Sequence, residues 1–175
     1  MTENQITKQP GLVWTPVRTK PRQEKKLAEY CKAHGFTYYL PLKKNVKRYQ
    51  RRTVEFTVPM FPGYIFCLLN EDIYRTMLHS GAIVYRITMD ENKEKRLIDD
   101  LNDLMVFEEM IKQQEVIIRP EIVEGAKIKV RSGPLQGAAG IVEKRKDQTL
   151  LTINIEILGQ AVSTIIDIGD IELDD

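Results

Sequence analysis

PMFPGYIFCLL, residues 59–69, decides how the N-terminal part of this chain folds. Pro59 and the Pro62-Gly63 pair mark a turn, because proline pre-sets φ and glycine accepts positive φ without a steric cost. The run from Tyr64 to Leu69 is apolar without alternation and short for a helix, so it is expected as a strand buried on both faces. Such a strand needs partners at both edges and cover on both faces, and the flanking sequence supplies them. Upstream, FTYYLPL (36–42) and TVEFTV (53–58) are β-prone and flank KKNVKRYQRR (43–52), which has no apolar periodicity; a hairpin or long loop with a basic tip is the simplest arrangement. Before them, RQEKKLAEYCKAHG (22–35) places Leu27, Tyr30, Cys31 and His34 at helical spacing. Gly35 suits the C-terminal left-handed position and Pro21 the first turn. LVWTPVR (12–18) is expected as an edge strand, since Pro16 donates no ladder bond. Downstream, Asn70 suits the cap of a short helix presenting Ile73, Met77 and Leu78 and ended by Gly81. AIVYRIT (82–88) is another strand. Lys93 to Gln113 is the longest helix candidate, with a stripe of Leu97, Leu101, Leu104, Met105 and Glu108. The order β-α-β-β-α-β-α describes an α+β N-terminal domain, an antiparallel sheet with helices packed on it.

Around IKQQEVIIRPE (111–121) the sequence becomes charged and acquires Pro120, so a linker is placed at 114–120, between a domain at 12–113 and another at 121–175. After it come five short β-prone runs: AKIKVRS, AAGIVEKR, TLLTINIEIL, AVSTIID and DIEL. At this size they imply a small all-β barrel, the compact way to hide most sheet edges.

The chain has 175 residues, 42% hydrophobic and 29% charged, with a formal net charge of +1. It carries no apolar run long enough to span a membrane, and its polar N-terminus lacks a secretory core, so a cytoplasmic location with no membrane contact is expected. Cys31 and Cys67 lie far apart, outside any CxxC, with only His34 and His79 to join them; the reading is two reduced, partly buried thiols, with no metal and no cofactor. No HExxH, GxSxG or Walker loop occurs, and the pairs Asp99-Asp100 and Glu108-Glu109 fit the solvated face of a helix. The protein is therefore expected not to be an enzyme.

Near-neutrality is an average. Arg18 to Arg52 holds twelve Lys or Arg against Glu24 and Glu29, a net of +10, while Thr53 to Ile118 nets −6 and Arg119 to Asp175 nets −3. A basic segment on one face attracts a polyanion despite overall neutrality. Lys43, Lys44, Lys47, Arg48, Arg51 and Arg52 are candidate phosphate contacts, and Tyr49 offers a stacking face for a base.

EGAKIKVRSGPLQGAAGIV (124–142), with Gly125, Gly133, Pro134, Gly137 and Gly140 at its turns, resembles the KOW motif of SH3-like barrels. Trp14, the RTKPRQEKKL stretch and PMFPGYIF resemble the N-terminal domain of NusG-type transcription factors, and the order of the two units matches that family over roughly residues 12 to 173. The KNVKRYQRR loop is similar to those of the specialised RfaH and UpxY-like members. The resemblance implies an elongation and antitermination factor, monomeric, that binds RNA polymerase at the clamp helices of β′ and toward β, near the DNA of the transcription bubble. On this family's pattern Trp14, Lys26, Phe61, Tyr64 and Phe66 fall on polymerase-binding positions, with Lys26 where arginine is frequent. Three departures stand out. Thr15-Pro16 replaces an aromatic; Tyr74-Arg75-Thr76-Met77 keeps only Thr76 of a polar triplet that contacts β; Leu158-Gly159 replaces the Phe-Gly pair used toward Rho or a small-subunit ribosomal protein. An RNA-binding or ribosome-associated KOW protein is the alternative reading.

Overall fold

The computed structural model describes residues 5–110, 117–120, 127–130, 139–145, 148–165 and 171–173. The chain divides into two compact units, residues 1–98 and 99–175. The elements up to the boundary are β1 (Val13–Thr19), α1 (Glu24–Ala33), β2 (Tyr38–Tyr39), β3 (Leu42–Tyr49), β4 (Arg52–Pro59), β5 (Tyr64–Leu69), α2 (Glu71–Leu78) and β6 (Ile83–Arg86). A long helix, α3 (Glu91–Met110), crosses it.

Four strands form an antiparallel sheet in the order β2-β5-β1-β6. As its unbroken apolar run requires, β5 is interior and buried on both faces: Ile65, Cys67 and Leu69 join Val17 of β1, Leu27, Ala28 and Cys31 of α1 and Met77 of α2 in one core. Phe66 and Leu68 point the other way, opposite Pro16 and Trp14 in register, and all four are buried. The helix signals hold where local chemistry sets them. Leu27 and Cys31 face inward, Gly35 has φ +70°, Asn70 Oδ1 accepts the Ile73 amide at 2.9 Å, and Gly81 has φ +69°. Pro21 lies ahead of α1, outside its first turn, and Leu78 is exposed at 47% where the helical spacing predicts a core position.

β1 is not an edge strand; it pairs β5 on one side and β6 on the other. Pro16 is tolerated because of where β6 stops. Its carbonyl accepts the Ile87 amide at 3.0 Å, so its ring nitrogen also faces the β6 side, just past the end of that ladder. Two positions back along the same edge, the Trp14 amide has no strand partner and donates to Glu94 Oε1 at 3.0 Å. Glu94 is 2% exposed and heads the apolar stripe of α3. That stripe continues through Leu97, Leu101 and Leu104 to Phe107, which takes the place expected for Met105 and Glu108.

A second buried carboxyl fastens the turn before β5. Glu24 of α1, 5% exposed, accepts the Gly63 amide at 2.6 Å, while Gly63 O receives the Thr19 amide at 2.8 Å. Gly63 has φ +87°, and a Cβ there would lie 2.2 Å from Arg18 Nη1.

Of the two arrangements expected for KKNVKRYQRR, the hairpin is the one formed, and most of the run is itself strand. β3 and β4 pair from Leu42↔Pro59 to Tyr49↔Arg52 as a two-stranded ribbon closed by Gln50-Arg51. Its base is tied by Met60 N to Pro41 O at 2.8 Å and by Lys25 Nζ to Thr57 O at 2.6 Å.

In the second unit β7 (Ile117–Pro120), β8 (Lys127–Val130), β9 (Ala139–Arg145), β10 (Gln148–Ile155), β11 (Gln160–Ile165) and β12 (Ile171–Leu173) form an antiparallel sheet ordered β12-β8-β9-β10-β11-β7. The five β-prone runs all form strands. The run 149–158 ends early, in a 3-10 turn at Glu156–Leu158 closed by Gly159 at φ +60°. Residues 117–120, expected in the linker, instead pair with β11. Ile153, Ile155, Ala161 and Val162 are buried, and the paired Thr152 and Ser163 hydroxyls lie 2.9 Å apart.

Replacing Glu24 by Ala leaves the Gly63 amide buried without its acceptor, a loss of about 1–3 kcal/mol. Urea denaturation is expected to show that loss for Glu24→Ala and a smaller one for Glu24→Gln, which keeps an acceptor oxygen.

Candidate functional site

The turn Phe61-Pro62-Gly63-Tyr64 and the ribbon that precedes it bring together most of the positions singled out in the sequence. Around the turn, Arg18 of β1 lies opposite Tyr64 of β5 and Tyr85 of β6 in register, making a cross-strand row on one sheet face. The Arg18 guanidinium sits 4.8 Å from the Tyr64 ring centroid and Nη1 reaches Pro62 O at 3.4 Å. Burial foremost, then the hydrogen bond with Tyr85, holds the Tyr64 phenol above its ordinary range, with Arg18 pulling the other way. Tyr85 is 48% exposed and Val84 56%. This rim of Arg18, Tyr64 and Tyr85 is a polar-aromatic edge that can hydrogen-bond and stack at once.

The five positions that the family resemblance assigns to polymerase binding separate by exposure. Phe61 is 1% exposed and meets Phe66 edge-on with ring centroids 6.2 Å apart; Phe66 is 0% and Trp14 3% exposed. Beside a Pro-Gly turn, Phe61 is expected at the surface. The turn instead folds its ring inward, because Tyr64 N–H closes on Phe61 O at 3.0 Å and carries the side chain under β5. Trp14 Nε1 is satisfied by Thr7 O at 3.1 Å. Only Tyr64, half-buried, and Lys26, exposed on α1, offer surface. Arg18 and Tyr85 escape a reading of the sequence because a row across three strands needs the register of each pair; the tyrosine within AIVYRIT is the available hint.

On the ribbon, strand geometry divides the basic cluster. Residues facing each other across an antiparallel pair share a face, and faces alternate along each strand. Lys43, Lys47, Tyr49 and Arg52 therefore lie on one side with Val54, Phe56 and Val58, while Lys44 and Arg48 lie on the other with Val46 and Glu55. Arg51 occupies the turn. Lys47 Nζ sits 5.6 Å from the Phe56 ring centroid and Arg52 Cζ 5.7 Å from that of Tyr49.

Of the residues expected at KOW turns, Gly125, Gly133, Pro134 and Gly137 lie outside the described residues, and Gly140 is in β9 opposite Ile128. Among the described residues no group of three His, Cys, Asp or Glu is placed to hold a metal, and no helix is long and apolar enough to cross a membrane.

Of two expectations about titratable groups, one holds and one changes: Cys31 and Cys67 are free, buried thiols, and Asp100 is partly withdrawn from solvent. Cys31 and Cys67, distant in sequence, share the core and hydrogen-bond to each other; that bond holds Cys31 below the ordinary thiol range, and it and burial push Cys67 well above it. Asp100 is not a solvated helix-face acid. Burial is the main cause that pushes its carboxyl up to about 7, assisted by Asp103, Glu156 and Asp99 and opposed by the Glu156 amide, which donates to Asp100 Oδ2 at 3.3 Å.

Three comparisons bear on this arrangement. The family model described as "NusG: Transcription termination factor nusG" matches residues 12–125. No curated protein matches the chain. A solved structure described as "Crystal Structure of MjSpt4:Spt5 complex conformation B" is 14% identical and covers 91% of this chain and 95% of its own, with a TM-score of 0.30, too low to carry an argument.

Between the ordinary value of 3.8 and about 7, the folded state binds more protons at Asp100 than the unfolded chain does, so this group's contribution to stability falls as pH rises through that window. The thermal midpoint of Asp100→Asn minus that of the wild type is therefore expected to be larger at about pH 8 than at about pH 5, read by circular dichroism.

Proposed function

The chain belongs to the NusG family, and from that membership we propose that it is a transcription elongation and antitermination factor that rides on RNA polymerase. The family match over residues 12–125 carries this reading. The N-terminal unit bridges the β′ clamp helices toward β, and binding the active state of polymerase better than the paused one shifts the population toward elongation. A ligand with equal affinity for both states would shift nothing, so the antipausing effect is a difference in affinity and needs no catalytic group. Tyr64, with Arg18 beneath it and Tyr85 beside it, is the contact at the rim, and Lys26 supplies a cation from α1. Trp14, Phe61 and Phe66 support that surface from below. The ribbon lies toward nucleic acid near the bubble. The C-terminal strands recruit a second partner, and Rho or a small-subunit ribosomal protein are the family's candidates, read here by Leu158-Gly159 in place of Phe-Gly.

The burial pattern supports this division of roles. Truncating a fully buried phenylalanine costs about 3–5 kcal/mol of stability, so Phe61 and Phe66 substitutions test folding before they test binding. Tyr64 and Lys26 do not have that drawback.

Tyr64→Ala combined with Lys26→Ala is expected to weaken binding to purified core polymerase by roughly thirtyfold, the effect of losing one interface hot spot, and to restore pausing in a single-round elongation assay. Unchanged binding and unchanged pausing would remove polymerase contact from this rim.

A further inference from the structure

The two cysteines of the chain take no part in the rim or the ribbon, yet the fold turns them toward each other from different elements. Cys67 lies in the middle of β5, on the face that it shares with Ile65 and Leu69, and α1 packs across that face. Cys31 follows Leu27 by four residues, one turn along the inward side of α1. A short backbone relay sets the height of the helix against the strand. The Cys31 carbonyl accepts the Phe36 amide at 2.9 Å, and two residues further on Tyr38 stands opposite Cys67 in the β2–β5 ladder. Both thiols are free, 0% and 1% exposed, and joined by a hydrogen bond.

We propose that Cys31 and Cys67 are a modification site, a dithiol that a peroxide oxidises to a disulfide stapling α1 to β5. The inference goes beyond polymerase binding and does not rest on it. The roles of the two sulfurs follow from their surroundings, because the thiolate is the nucleophile in such chemistry. The hydrogen bond from Cys67 holds Cys31 below the ordinary thiol range, while the same bond and burial push Cys67 well above it, so Cys31 attacks first and Cys67 resolves. Cys31 is also nearer to water. It sits in the last turn of α1 and is followed by exposed His34 and Gly35, and helix ends open locally more readily than the strands of a core. Its sulfur bonds to one peroxide oxygen as the O–O bond breaks, the hydroxide released takes up a proton and leaves as water, and Cys31 becomes a sulfenic acid. The Cys67 sulfur then displaces that hydroxyl: the S–S bond forms, the S–O bond breaks, and the Cys67 proton leaves with the hydroxide as a second water. The thiol pair gives up two electrons, and one peroxide is reduced to two waters. The bridge closes a loop from Cys31 to Cys67 that contains the whole ribbon and the Pro62-Gly63 turn, so it restrains the unfolded chain, and a dithiol reductant reopens it by exchange.

The test treats the reduced full chain with hydrogen peroxide, blocks the remaining thiols with iodoacetamide after denaturation, and maps the products by mass spectrometry. The wild type is expected to lose two hydrogens and carry no alkyl group, with the Cys31 and Cys67 peptides linked within one chain, and dithiothreitol is expected to restore both thiols. Its thermal midpoint, read by circular dichroism, is expected to rise by about 5 °C or more on oxidation and to return on reduction. Cys67→Ala is expected to leave a sulfenic acid at Cys31 that dimedone captures, whereas Cys31→Ala is expected to leave Cys67 unlabelled. Two alkylated cysteines after peroxide, links between chains only, sulfinic acid in place of a bridge, or a midpoint that falls on oxidation would overturn the pair. Equal dimedone labelling of the two single variants would overturn the assignment of the attacking thiol. The wild-type map decides the bridge even where a variant does not fold.

Discussion

One hydrogen bond, from the Gly63 amide to the carboxyl of Glu24, ties the parts of the N-terminal unit together. The turn at Pro62-Gly63 must be tight for β5 to enter the middle of the sheet, and a tight turn under a helix turns an amide inward where water cannot reach it. A buried unpaired donor is costly, so an acceptor has to come from the helix itself. Glu24 supplies it from the first turn of α1, and the same residue thereby fixes how α1 sits on the strands. The Trp14 amide poses the same problem at the open end of β1, and Glu94 answers it from the first turn of α3. In both places an acid on a helix serves as the missing neighbour of a strand. Neither is a surface charge in the ordinary sense, although both are charged letters in polar-looking stretches.

Those two acids show where sequence reading reaches its limit. Features set by a residue and its near neighbours are legible: the inward spacing of Leu27 and Cys31, the Asn70 cap, the left-handed glycines at 35 and 81, and the β-prone runs after residue 121. Features set by a distant partner are not. Pro16 argues locally for an edge, and only the early end of β6 makes an interior place tolerable. Phe61 beside Pro-Gly reads as exposed, and only the fold of the turn brings it onto Phe66. Cys31 and Cys67 are thirty-six positions apart and meet because α1 packs across β5. The β3 half of the ribbon does not read as strand because its residues from Lys44 to Tyr49 are exposed, so no apolar alternation is demanded of them.

The candidate site is legible in outline for the same reason. Composition locates the basic segment, and the family resemblance locates the aromatic one. Which side chains are available is a question of register, and register is long-range information. It selects Tyr64 over Phe61 at the turn and splits the cations of the ribbon between two sides. A charge count treats those cations as one patch; the pleat makes them two surfaces with different chemistry.

The ribbon has a mechanical consequence as well. Two eight-residue strands held mainly by their own ladder span roughly 24 Å from base to tip and take their footing from the contacts at Pro41 and Thr57. A two-stranded ribbon without a core is soft to bending but stiff along its length, since little packing backs its faces whereas stretching works against covalent backbone that is already nearly fully extended. A pull along the ribbon is therefore felt at its base, where Met60 N meets Pro41 O and Lys25 of α1 holds Thr57 O, whereas a sideways push at the tip is absorbed by the arm itself.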